Sequence, residues 1–335
     1  MSIAQIVHGL GGFAQKQQLV ARGARDIDLT RAVRSGEVIR ARQGWYTTLS
    51  PQDTAVRAVR VGGRLTGISA VDAAGGWVFR NQRLHVSVPR NGARHRSPSN
   101  RHRRLREGTS TVRHWDDAGV QERGTASSVG LADALYRVVL DESFEQAVAA
   151  LDWALHTGAL DEIDFETLVL ALPENLQAIR EWVDAACESL PESLARTRLR
   201  IAGHHVEIQT ALPTGEFVDL VVDSAIGLEV DGRRWHEGSF ERDRNKDITI
   251  TLERMHGLRP AASTVFGDWS RLHLAICIAL EERGIPLPSE TQEIRSGRRR
   301  RVPRMRGPHD RRATEVLNFR KGHGNSRAVP ALNRG

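Results

Sequence analysis

Residues 217–247 read FVDLVVDSAIGLEVDGRRWHEGSFERDRNKD, and the fold of the C-terminal third turns on this stretch. FVDLVVD (217–223) and IGLEVDG (226–232) are short apolar runs of strand length, each carrying acidic side chains: Asp219 in the first, Glu229 and Asp231 in the second. A hairpin of this length brings Asp219 and Glu229 to one end of a sheet. Asp231, two residues beyond Glu229, shares its strand face. Upstream, PESLARTRLRIAG (191–203) predicts a helix that lets Glu192 lean over the sheet edge. HHVEIQTAL (204–212) predicts another strand, joined through the Pro213-Thr214-Gly215 turn. Downstream come a long helix (SFERDRNKDITITLERMHG), a weak strand (ASTVF) and a final helix (DWSRLHLAICIALEERG). The succession over 188–285 is an α/β sandwich around one mixed sheet.

A carboxylate on an otherwise apolar strand costs several kcal/mol of desolvation unless a cation or a donor meets it. Phosphodiester hydrolysis offers such a cation, because a hard divalent ion both activates water and stabilises the leaving oxyanion. Asp219 and Glu229, helped by Glu192, therefore read as ligands for Mg2+ (or Mn2+). Asp231, the loop residue His236 and Lys246 on the long helix are candidates for moving protons or polarising the attacking water. The competing readings are a structural salt bridge from an arginine to Glu229 and an i, i+3 pair between Asp243 and Lys246.

The N-terminal 1–50 predict a small DNA-binding module. SIAQIVHGL and KQQLVARG are short helices ended by glycine, and DIDLTRAVRSG is a third, with Asp26 as N-cap and with Arg31 and Arg34 turned outward. EVIRARQGWYTT turns at Gln43-Gly44 as a hairpin carrying Arg40 and Arg42. Three helices and a hairpin are a winged helix-turn-helix, with these four arginines contacting mainly phosphate. Residues 51–115 read as a small α/β unit with one clean alternating strand, RLHVSVP, and an arginine-dense polar loop. Residues 116–187 read as a helical connecting region. Residues 286–335, rich in arginine and without periodicity, read as a disordered basic tail.

Charge follows the same division. Residues 1–106 hold 19 Lys/Arg against 5 Asp/Glu, residues 107–293 hold 16 against 34, and residues 294–335 hold 13 against 2, within a net charge of +7 for the 335 residues. A basic head and tail around an acidic middle suit a polyanionic partner and a metal-binding centre respectively. The two cysteines, Cys187 and Cys277, lack any CxxC or Cys/His zinc spacing and read as buried thiols of a reducing compartment. With no secretory leader and no apolar run of spanning length, a cytoplasmic protein with no membrane partner is expected.

These residues carry two resemblances. Val218-Asp219, Glu229-Val230-Asp231-Gly232, Trp235-His236 and Phe240-Glu241-Arg242-Asp243 with Lys246-Asp247, preceded by Glu192-Ser193, resemble the motifs of a domain family of unknown function allied to the very-short-patch repair endonucleases. That family lies within the PD-(D/E)XK superfamily. The resemblance implies a restriction-endonuclease-like core that cleaves DNA with magnesium, leaving a 5′-phosphate. The superfamily's third-motif lysine is replaced here by Asp231, as in the related family, so that activity would depend on Lys246, His236 or a second metal. Pro260 also interrupts the strand expected after Gly257, so that strand must be short, shifted or at an edge. Residues 11–48 are similar to the AbiEi-type antitoxin winged-helix domain. That likeness implies DNA as partner, and the layout is compatible with a homodimer and with a toxin or defence-system partner. The alternative function is a non-enzymatic, antitoxin-like transcriptional regulator with a degenerate nuclease fold.

Overall fold

The computed structural model describes residues 1–106, 108, 110–231 and 240–295, with residues 240–245 described by their backbone alone. The chain is a mixed α/β protein. Helix α1 (Ile3–Gly9) opens on a capping box in which the Ser2 hydroxyl accepts from the Gln5 amide while the Gln5 side chain accepts from the Ser2 amide. Strand β1 (Phe13–Gln15), α2 (Lys16–Val20), α3 (Asp26–Arg34), β2 (Ile39–Arg42) and β3 (Trp45–Thr47) follow. The three strands form an antiparallel sheet in the order β1-β3-β2. The sequence pattern missed β1, which is too short to show alternation. Helix α3 begins at Asp26 itself: Arg25 is the N-cap, and its amide is satisfied by the Asp28 carboxylate. Ile6, Val7, Leu19, Leu29, Ala32, Val38 and Tyr46 make the small core that holds these elements together.

Next come α4 (Thr54–Val61), β4 (Arg64–Leu65), α5 (Gly67–Ala73), β5 (Leu84–Pro89), β6 (Thr111–Asp116), α6 (Ala118–Glu122), α7 (Leu131–Asp141), α8 (Phe144–His156), α9 (Glu162–Ala171) and a 3₁₀ helix (Glu174–Trp182). β5 is central in the order β4-β5-β6, antiparallel to β4 and parallel to β6. Its Leu84–Val88 segment is buried on both faces, so the polar members of the alternation, His85 and Ser87, are buried too. A sheet buried on both faces needs cover on both. One apolar cluster from Ala58 to Ile179 supplies it, and it runs across the 115/116 division without a break.

The last part contains α10 (Leu190–Ile201), β7 (Val206–Ala211), β8 (Phe217–Val222), β9 (Ile226–Leu228), α11 (Phe240–Leu252), β10 (His256–Leu258), α12 (Ala262–Gly267), α13 (Trp269–Glu281) and α14 (Ser289–Arg295). The sheet order is β10-β9-β8-β7, antiparallel except for the β9/β10 pair. The expected strand ASTVF is instead helix α12, and the strand lies earlier, at His256–Leu258. Pro260 donates nothing to the ladder, but its carbonyl accepts the Asp231 amide at 3.1 Å, and β10 is short and at the sheet edge, as a nearby proline requires. Helix α14 falls within the segment expected to be disordered, and residues 296–335 lie outside the described residues. A fully buried ion pair joins the middle of the chain to the last part: Arg196 of α10 meets Asp152 of α8 at 2.8 Å, and Ser193 donates to the same carboxylate at 2.6 Å. Cys187 and Cys277 are free and buried. Among the described residues no helix is long and apolar enough to cross a membrane.

Candidate functional site

The site begins at the turn between β8 and β9. Asp223 (φ 48°) and Ser224 (φ 55°) are both left-handed, as the central pair of a type I′ turn must be, and the Ala225 amide closes the turn on the Val222 carbonyl at 3.0 Å. The turn fixes the register as Leu220 opposite Leu228. One step further, Asp219 stands opposite Glu229 on one face of the sheet. Their side chains take over the ladder there. The Asp219 amide donates to Glu229 Oε1 at 3.2 Å, and the Val230 amide donates to Asp219 Oδ2 at 2.9 Å. Lys246, reaching in from α11, donates its Nζ to Glu229 Oε2. Among the described residues, the ion pair that Glu229 needed is made by this lysine.

All three expected ligands are strained electrostatically. Burial pushes the Glu229 carboxyl above the ordinary carboxylate range, and Asp219 beside it adds to the push while Lys246 opposes it. Burial likewise raises Asp219, against the Val230 amide and Lys246. Glu192 is raised by burial against its bonds from Ser189 and the Glu188 amide. A set of buried carboxyls that lift one another is a place where an added cation lowers the free energy.

Not every expected member is free for that role. Glu192 is tied into the N-terminal end of α10, accepting from the Ser189 hydroxyl at 2.6 Å and from the Glu188 amide at 3.0 Å, while its own amide donates to the Ser189 hydroxyl. It lies near enough to Asp219 to repel it, but its oxygens are already engaged. Asp231 is exposed, and its backbone bonds to Pro260 and Ala262. Among the described residues, the groups that bring three ligand atoms within 4.8 Å of one another do not include Glu192, Asp219 or Glu229. His236 lies outside the described residues, and so does the side chain of Asp243. Glu188, which adds to the negative field at Asp219, was not anticipated.

At the other end of the chain, Arg31, Arg34 and Arg40 are exposed. Arg42 is not available in the same way. It is half-buried, with its guanidinium packed over Gly62, where a Cβ would sit 1.9 Å from Nη1. The arginine-dense loop folds back onto this module: Arg101 donates to the Arg40 carbonyl, and Arg60 donates to the Pro51 and Pro98 carbonyls. Exposed Arg103 and Arg104 on this loop extend the basic surface, a contribution the sequence reading did not assign. Compared with known proteins, the chain matches no family model and no curated sequence.

Proposed function

We propose that the chain is a DNA-binding protein whose C-terminal α/β unit is a metal-dependent, endonuclease-like phosphodiesterase. The observation that carries this reading is the pairing of Asp219 with Glu229 across β8 and β9, with Lys246 bonded to Glu229. Two carboxylates and a lysine at the end of a sheet, with a helix covering them, are the parts of a PD-(D/E)XK site, here with the lysine supplied from α11. The donor set fits a hard ion: Asp219 Oδ1 accepts no hydrogen bond among the described residues, and the neighbouring acids raise its affinity for positive charge. Asp219 and Glu229 would hold Mg2+ or Mn2+, which when bound neutralises developing phosphate charge and acidifies water. Lys246 holds Glu229 in place and contributes a positive charge beside the scissile phosphate. Asp231, which is exposed, would take up a proton.

The N-terminal order of helix, strand, two helices and two strands supports a winged helix-turn-helix, with α3 as the helix that enters the major groove. Arg31 and Arg34 on α3, Arg40 on the hairpin, and Arg103 and Arg104 on the loop would contact phosphate and set the register without reading bases.

A second reading keeps its own support. Lys246 already neutralises Glu229, and Glu192 is engaged in a cap, which suits a regulator that binds DNA and does not cut it. Incubating supercoiled plasmid and short duplexes with the wild type, D219A and E229A in Mg2+ or Mn2+ separates the two. Nicking by the wild type alone, with duplex binding unchanged in all three, supports the nuclease. Equal binding with no nicking under either metal supports the regulator.

A further inference from the structure

A second group of ligands lies elsewhere in the same unit, where the α10/β7 connection meets α13. His204 Nε2 and His273 Nε2 are 3.1 Å apart, and Cys277 Sγ is 3.8 Å from the same nitrogen of His273. All three side chains are buried, and their ligand atoms lie within 4.8 Å of one another. For Zn–N near 2.0 Å and Zn–S near 2.3 Å, a tetrahedral ion sets ligand separations of about 3.3 Å (N to N) and about 3.6 Å (N to S). The observed distances straddle those values.

The surroundings hold the donors in this pose. Asp223 Oδ2 is 2.6 Å from His204 Nδ1, and Asp223 Oδ1 accepts the His205 amide at 2.9 Å. With Asp223 as the acceptor at Nδ1, a neutral His204 presents its Nε2 to His273 and Cys277. Asp223 is one of the two left-handed turn residues, a backbone position that an aspartate occupies at some cost and that aims it at His204. The Thr291 hydroxyl gives its proton to the Ala202 carbonyl at 2.8 Å and sits 3.1 Å from His204 Nε2, adding another lone pair on that side. Trp269 stacks on the His273 ring and fixes its plane. His273 and Cys277 also line a cavity of about 710 Å³, bounded by Trp269, Arg198 and Arg295, through which an ion can enter.

We infer that His204, His273 and Cys277 form a Zn2+ site, with Asp223 as the carboxylate that orients His204. Two imidazoles and one thiolate select a borderline-soft ion such as Zn2+ over Mg2+, so this site differs in chemistry from the Asp219–Glu229 pair and does not rest on the nuclease reading. Three protein ligands leave the fourth position to solvent from the cavity side.

The test uses the full chain, stripped with a chelator and titrated with Zn2+ and, separately, with Co2+. One Zn2+ per chain, a rise in melting temperature, and a thiolate-to-cobalt charge-transfer band are expected in the wild type, in C187S and in D219A. The band is expected to vanish in C277S, and binding to be lost in H273A. D223N should bind Zn2+ about 10- to 100-fold more weakly, with the band retained. A wild type that takes up no stoichiometric Zn2+, or a cobalt band that survives C277S, overturns the assignment whether or not any variant folds poorly. D223N binding as tightly as the wild type overturns the orienting role of Asp223.

Discussion

Replacing Asp219 with Asn probes the acidic corner without changing its shape. The Asn carbonyl oxygen still accepts the Val230 amide that now bonds Oδ2 at 2.9 Å, so the strand geometry is retained. What disappears is one buried negative charge whose carboxyl is held above its ordinary range by burial. A group raised in the folded state contributes stability that is full below its unfolded value and is lost as pH rises through its folded value. Metal-free D219N should therefore match or exceed the wild type, by a margin that opens as pH rises above the ordinary aspartate range. Mg2+ reverses the order. At 100 times its dissociation constant, a ligand that binds only the native state adds about 2.7 kcal/mol, a shift on the order of 5 °C or more in a domain of this size. The wild type should show that shift and D219N should not. Differential scanning calorimetry with and without Mg2+ reads both effects. A D219N protein that keeps the full Mg2+ shift, or one that is much less stable than the wild type without metal at pH 8, refutes the reasoning.

Other residues give independent checks. Lys246→Met leaves Glu229 buried against Asp219 without its cation, and urea titration should show a loss of about 3 kcal/mol that the added Glu229→Gln change largely restores. Burial, reinforced by Asp141, pushes the Glu142 carboxyl up to about 7 from 4.5. The gap corresponds to about 3 kcal/mol, reduced by partial solvent contact to about 1–2 kcal/mol. Its contribution is present below pH 4.5 and lost as pH rises through about 7, so E142Q should be the more stable protein at pH 8.5 but not at pH 4. A less stable E142Q at pH 8.5 would mean that a protonated partner holds the carboxylate. R31A and R34A should each reduce the salt slope of DNA binding by about one, whereas R42A should cost stability and leave the slope unchanged.

The sequence made the pairing of Asp219 with Glu229 readable because a hairpin is local, and its register follows from the turn and the alternation alone. Lys246 was legible as a candidate, but the bond to Glu229 depends on where α11 settles, which no spacing reveals. The role of Glu192 was in part written in the chain: Ser189 followed three residues later by a glutamate is a helix-start pattern, and the side chain is held locally by the Ser189 hydroxyl and the Glu188 amide. ASTVF was misread because its β-branched residues look strand-like, whereas the turn through Pro260 and Ala261 starts a helix. His273 and Cys277, four apart on α13, share a helix face, but the sequence reading passed over the pair because it matches no CxxC or familiar Cys/His zinc spacing. His204 is separated from them by 69 residues of chain, and only the fold brings it close. The shared core of residues 58–179 was missed for the same reason, since burial of both faces of β5 is a property of its neighbours.

The rate at which supercoiled DNA is nicked as Mg2+ is raised, measured side by side for the wild type and E229Q, bears most directly on the acidic pair. The pair predicts a saturable, metal-dependent rate in the wild type and a fall of at least about 100-fold in E229Q, the scale on which loss of one transition-state electrostatic contact is felt. Nicking that is unchanged in E229Q would place the chemistry elsewhere or in a contaminant, and no nicking by the wild type at any Mg2+ or Mn2+ concentration would contradict the nuclease reading.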